Sequence, residues 1–383
     1  MFKYLIMKKI LFCNNCLSGL IHFRKEVIDE YEKMGYEIVI VVAKQKVTEV
    51  ELEKLSKKWK VNLVSLSPNS INPFSDLKYF WELYMIYKKE LPDIIFHYTI
   101  KPNIYGTIAA RLLKLPCVAM VAGLGYVFEG NSLKKRIGRS LYKFSLRRSN
   151  KIICLNAANA EVLLNGNYCK PNNLIWFKGG EGVNLDLYPY KPMRFETTKF
   201  LMIARALYDK GYTEYVEAAK IIKRKYPNIE IELLGALATD SPMGVPEEIV
   251  KSDHNNGFIN YLGTTNDVPS YVLRDGVVVV LVSKYLEGLN RSLMEACSMG
   301  RPIITTTNPG CQETVENGVN GFLIPPGNHI ALAEAMIKFI ELPQNRKKEM
   351  AEASNAKAKK DFDIRIVLDY YKSITKDIVM RNI

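Results

Sequence analysis

Short runs of β-branched and aliphatic residues recur along this chain, and amphipathic stretches separate them. In the first half the runs are "KKILFC" (8–13), "YEIVIVVA" (36–43), "VNLVSLS" (61–67), "DIIFHYT" (93–99) and "CVAMVAGLG" (117–125). Between them lie helix-period segments such as "FRKEVIDEYEKMG" (23–35), which ends at Gly35, and "NIYGTIAARLLKL" (103–115). The second half repeats the theme with "KFLMIARAL" (199–207), "IEIELLG" (229–235), "INYLG" (259–263), "GVVVVLVS" (276–283), "PIITTT" (302–307) and "GFLIPP" (321–326). Its helices include "YTEYVEAAKIIKRKY" (212–226) and "RSLMEACSMG" (291–300). Strands that are apolar on both faces and alternate with helices predict βαβ units around parallel sheets.

The expected fold is therefore α/β, with two Rossmann-like doubly wound domains facing a cleft. The chain has 383 residues, enough for two domains of about 180 residues each. The expected divisions are a first domain over 1–183, a second domain over 184–360 and a C-terminal helix over 361–383 packing back on the first. No apolar run approaches the roughly 18 residues of a membrane-spanning helix. The amino-terminal residues read as a first strand rather than a signal peptide.

Composition adds two points. The seven cysteines are an odd number scattered through strand-like and helix-like segments, which suits reduced thiols in a cytoplasmic protein. Cys13 and Cys16 form one Cys-x-x-Cys without a second pair at zinc-ligand spacing. The net charge of +13 implies acidic partners: nucleic acid, phosphorylated small molecules or an anionic membrane. No zinc-finger, RNP-like or basic-zipper pattern supports nucleic acid.

Ligands of open parallel sheets sit at the carboxyl ends of strands, against helix N-termini. After the strand at 199–207, Arg205 and Lys210 with Gly211 suit a diphosphate, although taken alone solvated surface charge is the favoured reading. After the strand at 276–283 comes "YLEGLNRSLMEA" (285–296). Asn290 is the expected N-cap of a helix from Arg291, leaving free backbone donors near Gly288, Leu289, Asn290 and Arg291. Glu295, on the first two turns, leans back toward that N-terminus. A carboxylate suits the vicinal hydroxyls of a ribose, and Glu287 can meet those of a second sugar. Gly235, ending another strand, is a further candidate lining residue. As helix-start charges, both glutamates also have an ordinary electrostatic reading.

The spacing of Glu287 and Glu295 resembles the Glu-x7-Glu motif of the family-four retaining glycosyltransferases of the GT-B fold. Arg205, Lys210 and Gly211 resemble that family's phosphate clamp, "GGEGVN" (179–184) its interdomain crossing and "PGCQETVENGVNGFLIPPG" (309–327) the tail of its second domain. "YTIKPNIYGTIAARLLKLP" (98–116) followed by "GLGYVF" (123–128) resembles a bacterial subgroup that moves N-acetylhexosamines onto lipid-linked intermediates of surface polysaccharides. The resemblance implies that Glu295 holds the ribose and Glu287 the transferred sugar. It implies that Arg205 and Lys210 hold the diphosphate of a UDP-sugar, with no metal or other cofactor. On the acceptor side the candidates are Gly19, His97, Lys101 and Gly123; the histidine that the family often places in this cleft has no clear counterpart, His97 lies a few residues from its place, and a lone His at a strand end is as readily structural. Asn290 and Val282 stand where the family commonly has Gly or Pro and Pro. Asp361-Phe362-Asp363 imitates a metal motif of another fold, but Asp363 reads more simply as a helix cap.

"SLKKRIGRSLYKFSLRRSNK" (132–151) carries eight Lys and Arg. Leu133, Ile137, Leu141 and Phe144 recur at helical spacing. Lys134, Lys135, Arg136, Arg139, Lys143, Arg147 and Arg148 surround them, as in a helix lying on an anionic bilayer. A core-facing stripe with a solvated basic face is the competing reading. The expected function is transfer of GalNAc or GlcNAc from a UDP-sugar to a polyprenyl-diphosphate-linked saccharide, at the inner face of the cell membrane. A nucleotide-sugar epimerase of the same architecture, or a non-catalytic nucleotide-sugar-binding partner, is the alternative.

Overall fold

A computed structural model describes residues 8–66, 72–125, 128, 130, 132–239, 241–285 and 288–380, apart from the side chains of Lys46 and Met380. Two compact units emerge. One runs to Glu181 and resumes at Arg365; the other spans Gly182–Ile364.

In the first unit the chain runs β1 (Lys9–Cys13), α1 (Leu17–Lys33), β2 (Glu37–Ala43), α2 (Glu49–Ser56), β3 (Lys60–Val64), α3 (Pro73–Glu90) and β4 (Ile94–Tyr98). A π-helical turn (Pro102–Gly106) then leads into α4 (Thr107–Leu112), β5 (Cys117–Val121), α5 (Leu133–Leu146), β6 (Lys151–Cys154), α6 (Ala157–Asn165) and β7 (Leu174–Trp176). The sheet order is β3-β2-β1-β4-β5-β6-β7, all pairs parallel. The order reverses between β1 and β4, which makes their carboxyl ends the switch point where such sheets bind ligands.

Strand alternation sorts the layers, because successive side chains point to opposite faces. Ile95 and Cys117 pack with Tyr79, Leu83 and Tyr87 of α3 and Ala109 and Ala110 of α4. On the other face, Phe96 and Tyr98 of β4 meet Tyr371, which lies on the C-terminal helix. Tyr31 of α1 donates to the Tyr371 carbonyl at 2.9 Å, so that helix belongs to the α1 side.

The second unit runs β8 (Lys199–Ile203), α7 (Tyr212–Lys225), β9 (Glu230–Leu234), α8 (Glu247–Asn255), β10 (Asn260–Tyr261), α9 (Val268–Val272), β11 (Val277–Leu281), α10 (Arg291–Ser298), β12 (Ile303–Thr306), β13 (Gly321–Ile324), α11 (His329–Glu341) and α12 (Gln344–Lys357). Its parallel sheet has the order β10-β9-β8-β11-β12-β13. The four valines of β11 are buried on both faces, as a central strand requires. The chain ends in α13 (Ile364–Met380), the helix that carries Tyr371.

Asp361 pairs with Lys357 at 2.9 Å, Phe362 is buried, and Asp363 immediately precedes α13. Among the described residues no group of three or more His, Cys, Asp or Glu is placed to share a metal ion. No described helix is long and apolar enough to cross a membrane.

Candidate functional site

Three loops meet at the carboxyl edge of the second sheet. The loop after β8 makes a single 3-10 turn over Tyr208–Lys210, and Gly211 then opens α7 with φ +85°. A Cβ on Gly211 would stand 2.3 Å from the Val282 carbonyl oxygen, so only glycine permits both the left-handed conformation and this approach. The carbonyl of Asp209 accepts the Lys284 backbone N–H at 2.7 Å. Lys210 is thereby held beside the loop that follows β11.

That second loop is fastened in turn to the end of β12. The Ser283 carbonyl accepts the Thr306 hydroxyl at 2.9 Å and the Asn308 amide at 2.8 Å. The loop then enters α10. Asn290 is its N-cap, with Oδ1 accepting from the Leu293 N–H at 3.2 Å and from the Ser292 hydroxyl at 2.8 Å. The Asn290 N–H, expected to be a free donor, is instead spent on the Gly310 carbonyl at 2.8 Å, and the Gly310 N–H donates to Glu313 Oε2 at 2.7 Å. These bonds point a helix N-terminus, a site of partial positive charge, along the same edge as Lys210.

Arg205 lies two residues beyond the end of β8. Its side chain is exposed and forms no ion pair or hydrogen bond with another described residue. Gly235, at the end of neighbouring β9, donates its N–H to Gly263 and accepts the Tyr261 hydroxyl on its carbonyl at 3.0 Å. A side chain there would meet the Ala204 carbonyl oxygen at 1.9 Å, so glycine is what lets the two strand ends approach this closely.

Glu295 lies on the second turn of α10, and only 7% of its surface is exposed. Its Oε1 accepts from Arg291 Nε at 2.9 Å, an i,i+4 pair along the helix. The Tyr188 phenol lies beside the same carboxylate, and burial together with that negative charge pushes its pKa up to about 12. Tyr188 therefore serves as a neutral donor at neutral pH. Sequence reasoning missed Tyr188, Asn308 and Gly310. Tyr188 sits in what reads as a boundary segment, and the Asn-Pro-Gly run signals only a turn. Gly288 and Leu289 lie in the approach to α10; Glu287 lies outside the described residues.

Three of the acceptor-side candidates, Gly19, Lys101 and Gly123, follow the adjacent strands β1, β4 and β5. Gly19 is on the first turn of α1, where a Cβ would stand 2.9 Å from Cys16 Sγ. Lys101 is tied to Asp76 at 2.6 Å, and Asp76 also accepts the Tyr105 hydroxyl at 2.9 Å. Gly123 follows β5 and is half-buried.

His97 is a correction. Its ring is fully buried between β4 and the α3–α4 layer, with Nε2 3.0 Å from the Tyr87 hydroxyl and Nδ1 3.3 Å from the Thr107 hydroxyl. It packs under Gly106, where a Cβ would meet Nε2 at 2.5 Å. Residues alternate along a strand, and His97 takes the inward face rather than the carboxyl edge. Burial lowers its pKa to about 3. The unfolded chain then binds a proton that the folded one refuses, so stability falls as pH drops from about 6.5 toward 3. The expected slope is up to about 1.4 kcal/mol per pH unit. Urea midpoints between pH 7 and 5 check this: His97→Gln should flatten the curve, and an unchanged slope would exclude His97 as its source.

Of the seven basic candidates, Lys134, Lys135, Arg136, Arg139 and Lys143 lie on α5 and Arg147 and Arg148 directly follow it; Lys134, Arg136, Arg147 and Arg148 are exposed, while Lys135, Arg139 and Lys143 are half-buried. Tyr142, Ser145 and Leu146 face inward. The apolar row Leu133, Ile137, Leu141 and Phe144 faces outward, not into the core.

Comparison with known proteins agrees with this architecture. Residues 9–156 match the family described as glycosyl transferase 4-like, and residues 193–360 match glycosyl transferases group 1. The chain is 28% identical to N,N'-diacetylbacillosaminyl-diphospho-undecaprenol alpha-1,3-N-acetylgalactosaminyltransferase of Campylobacter jejuni, over 98% of this chain and all of that one. It is 27% identical to UDP-Gal:alpha-D-GlcNAc-diphosphoundecaprenol alpha-1,3-galactosyltransferase of Escherichia coli, over 70% of this chain and 72% of that one. Among solved structures, a glycosyltransferase from Rickettsia africae superposes with a TM-score of 0.78 at 20% identity, covering 98% of this chain and 99% of its own. Alr3699/HepE of Anabaena superposes at 0.76 with 18% identity, covering 97% and 100%. With a glycosyltransferase family model matching in each compact unit, one glycosyl transferase 4-like and one of group 1, the chain is a glycosyltransferase of the GT-B fold.

Proposed function

We propose that the protein transfers an N-acetylhexosamine, GalNAc or GlcNAc, from a UDP-sugar to a polyprenyl-diphosphate-linked saccharide, with retention at the anomeric carbon. The observation that carries the donor half is the edge of the second sheet. Exposed Arg205, Lys210 on its clamped turn and the capped N-terminus of α10 supply positive charge where a diphosphate would lie. The Campylobacter relative, an N-acetylgalactosaminyltransferase acting on a diphospho-undecaprenol-linked sugar, supports the sugar and the acceptor.

In this reading the anomeric C–O bond breaks through an oxocarbenium-like state, and the electron pair leaves with the nucleoside diphosphate. Arg205 and Lys210 meet the growing charge on that leaving group, so the step needs no metal. Glu295, oriented by its bond from Arg291, has lone pairs remaining for the ribose hydroxyls. Glu287 takes the transferred sugar. The leaving phosphate helps to deprotonate the acceptor hydroxyl on the same face. The carboxyl edge of the first sheet, near Gly19, Lys101 and Gly123, receives the acceptor. The basic face of α5 rests on an anionic membrane, where such an acceptor resides.

The test is a product assay with a panel of UDP- and GDP-sugars against a short-chain lipid-diphosphate acceptor. A UDP-N-acetylhexosamine product with retained configuration is expected. Appearance of the epimeric sugar without acceptor would replace transfer by epimerisation. For the membrane part, changing Arg136, Arg147 and Arg148 to Ser should weaken binding to anionic liposomes at least several-fold at low salt. Equal binding would remove α5 from that role.

A further inference from the structure

The first unit carries a second outward apolar row that composition does not single out. On α3, Phe74, Leu77, Trp81 and Met85 follow one another at spacings of three, four and four, the repeat of one helical face. All four are exposed, Phe74 by 85% and Trp81 by 58%. The opposite face of α3 is spent on the core through Tyr79, Leu83 and Tyr87. Trp81 stacks on Tyr84 with ring centroids 5.4 Å apart. Two amphipathic aromatics side by side at the surface suit the headgroup level of a bilayer.

The topology brings this row to the same layer as α5. Both α3 and α5 pack on the π-turn that precedes α4. Both follow strands of one parallel sheet, β3 and β5, so both begin at its carboxyl edge. Exposure is greatest at that end in each helix: Phe74 on α3, and Leu133, 71% exposed, on α5. The two rows differ in chemistry. On α5 the groove formed by Leu133, Ile137, Leu141 and Phe144 includes Arg136, and the helix has no carboxylate along Leu133–Leu146. On α3 the outward row is aromatic and aliphatic, and Lys88 and Lys89 lie in its last turn.

We propose that α3 is the inserting anchor of a two-helix membrane footing, with α5 as its electrostatic partner. The occupant is an anionic phospholipid bilayer. This rests on the reading of α5 as membrane-facing and assigns the apolar part of the binding to Phe74, Leu77, Trp81 and Met85. Electrostatic attraction of lysines and arginines is screened by salt, whereas burial of apolar side chains is not. The two helices therefore have separable signatures. The arrangement also sets the carboxyl edge of the first sheet, where an acceptor would dock, at the lipid surface.

The experiment is sedimentation of the full-length protein with vesicles of phosphatidylcholine alone and with 30% phosphatidylglycerol, at low and high salt. That lipid fraction, about a third anionic, is chosen so the surface potential is appreciable. Phe74→Ser/Trp81→Ser should lower partitioning roughly 10-fold or more at both salt concentrations. The α5 triple variant at Arg136, Arg147 and Arg148 should lose binding mainly at low salt. In a Trp176→Phe background, Trp81 emission should be quenched by brominated acyl chains, and a further Trp81→Phe should abolish that quenching, since the remaining Trp59 is buried. The substituted side chains are exposed, and far-UV circular dichroism verifies that each variant folds. If the α3 variant binds like the wild type while the α5 variant does not, the anchor falls and the α5 reading stands. If the wild type binds neither vesicle, both fall. A concentration-dependent dimer that the α3 substitutions abolish, without a change in vesicle binding, would assign the row to self-association and overturn the proposal.

Discussion

Lys210→Ala should lower the rate of sugar transfer on the order of 100-fold, or about 3 kcal/mol of barrier, the cost of removing one preorganised contact to developing charge. The lysine sits on a turn whose geometry is set from both sides: by the left-handed Gly211 against Val282 and by the Asp209 carbonyl under Lys284. Its position is therefore paid for by the fold before substrate arrives. Because the charge it meets grows as the diphosphate leaves, the loss should fall mainly on kcat rather than on KM. Arg205→Ala should behave alike, and the double variant should lose less than the product of the two if both contact one phosphate. Steady-state kinetics with saturating acceptor test this. A rise in KM with unchanged kcat would reduce Lys210 to ground-state binding, and no change in either would remove it from the site.

The largest expected effect on stability lies in the first unit. Arg24 of α1 pairs with Glu181, and both side chains are nearly buried. The guanidinium also lies 4.4 Å from the centroid of the Tyr98 ring. Glu181 is the last residue of that unit before the chain crosses to the second. Arg24→Met keeps most of the apolar volume but leaves a buried carboxylate without its cation. The expected cost is about 3–5 kcal/mol, because the desolvation penalty of Glu181 is no longer offset. Arg24→Met/Glu181→Leu should recover most of that loss, since removing both charges also removes the penalty. Urea denaturation of the three proteins decides it. A single variant within about 0.5 kcal/mol of wild type would show that water reaches Glu181.

Much of the architecture can be read without coordinates because both sheets are parallel. A strand buried on two faces must be apolar throughout, and "VVVV" at 277–280 admits few other roles. The N-cap at Asn290 and the turn at Lys210–Gly211 are equally local, since they depend on hydrogen bonds a few residues apart. What these local signals lack is direction. His97 and Phe96 are neighbours in one strand, yet one faces the α3–α4 layer and the other Tyr371. Which neighbour gets which face depends on register and on what packs there.

The same limit applies to α3 and α5. Leu133, Ile137, Leu141 and Phe144 read at once as a stripe, but a stripe of that kind ordinarily faces the core. Phe74, Leu77, Trp81 and Met85 were lost among Tyr79, Leu83 and Tyr87 in a helix apolar on both sides. Tyr188 beside Glu295 and Gly310 beneath Asn290 join residues more than a hundred and about twenty positions apart. Short-range periodicity and capping settle the elements and their order, because their energies are spent within a few residues. The choice of which face meets solvent, and which distant side chains share a site, belongs to the packed molecule, where burial and charge are distributed over the whole fold.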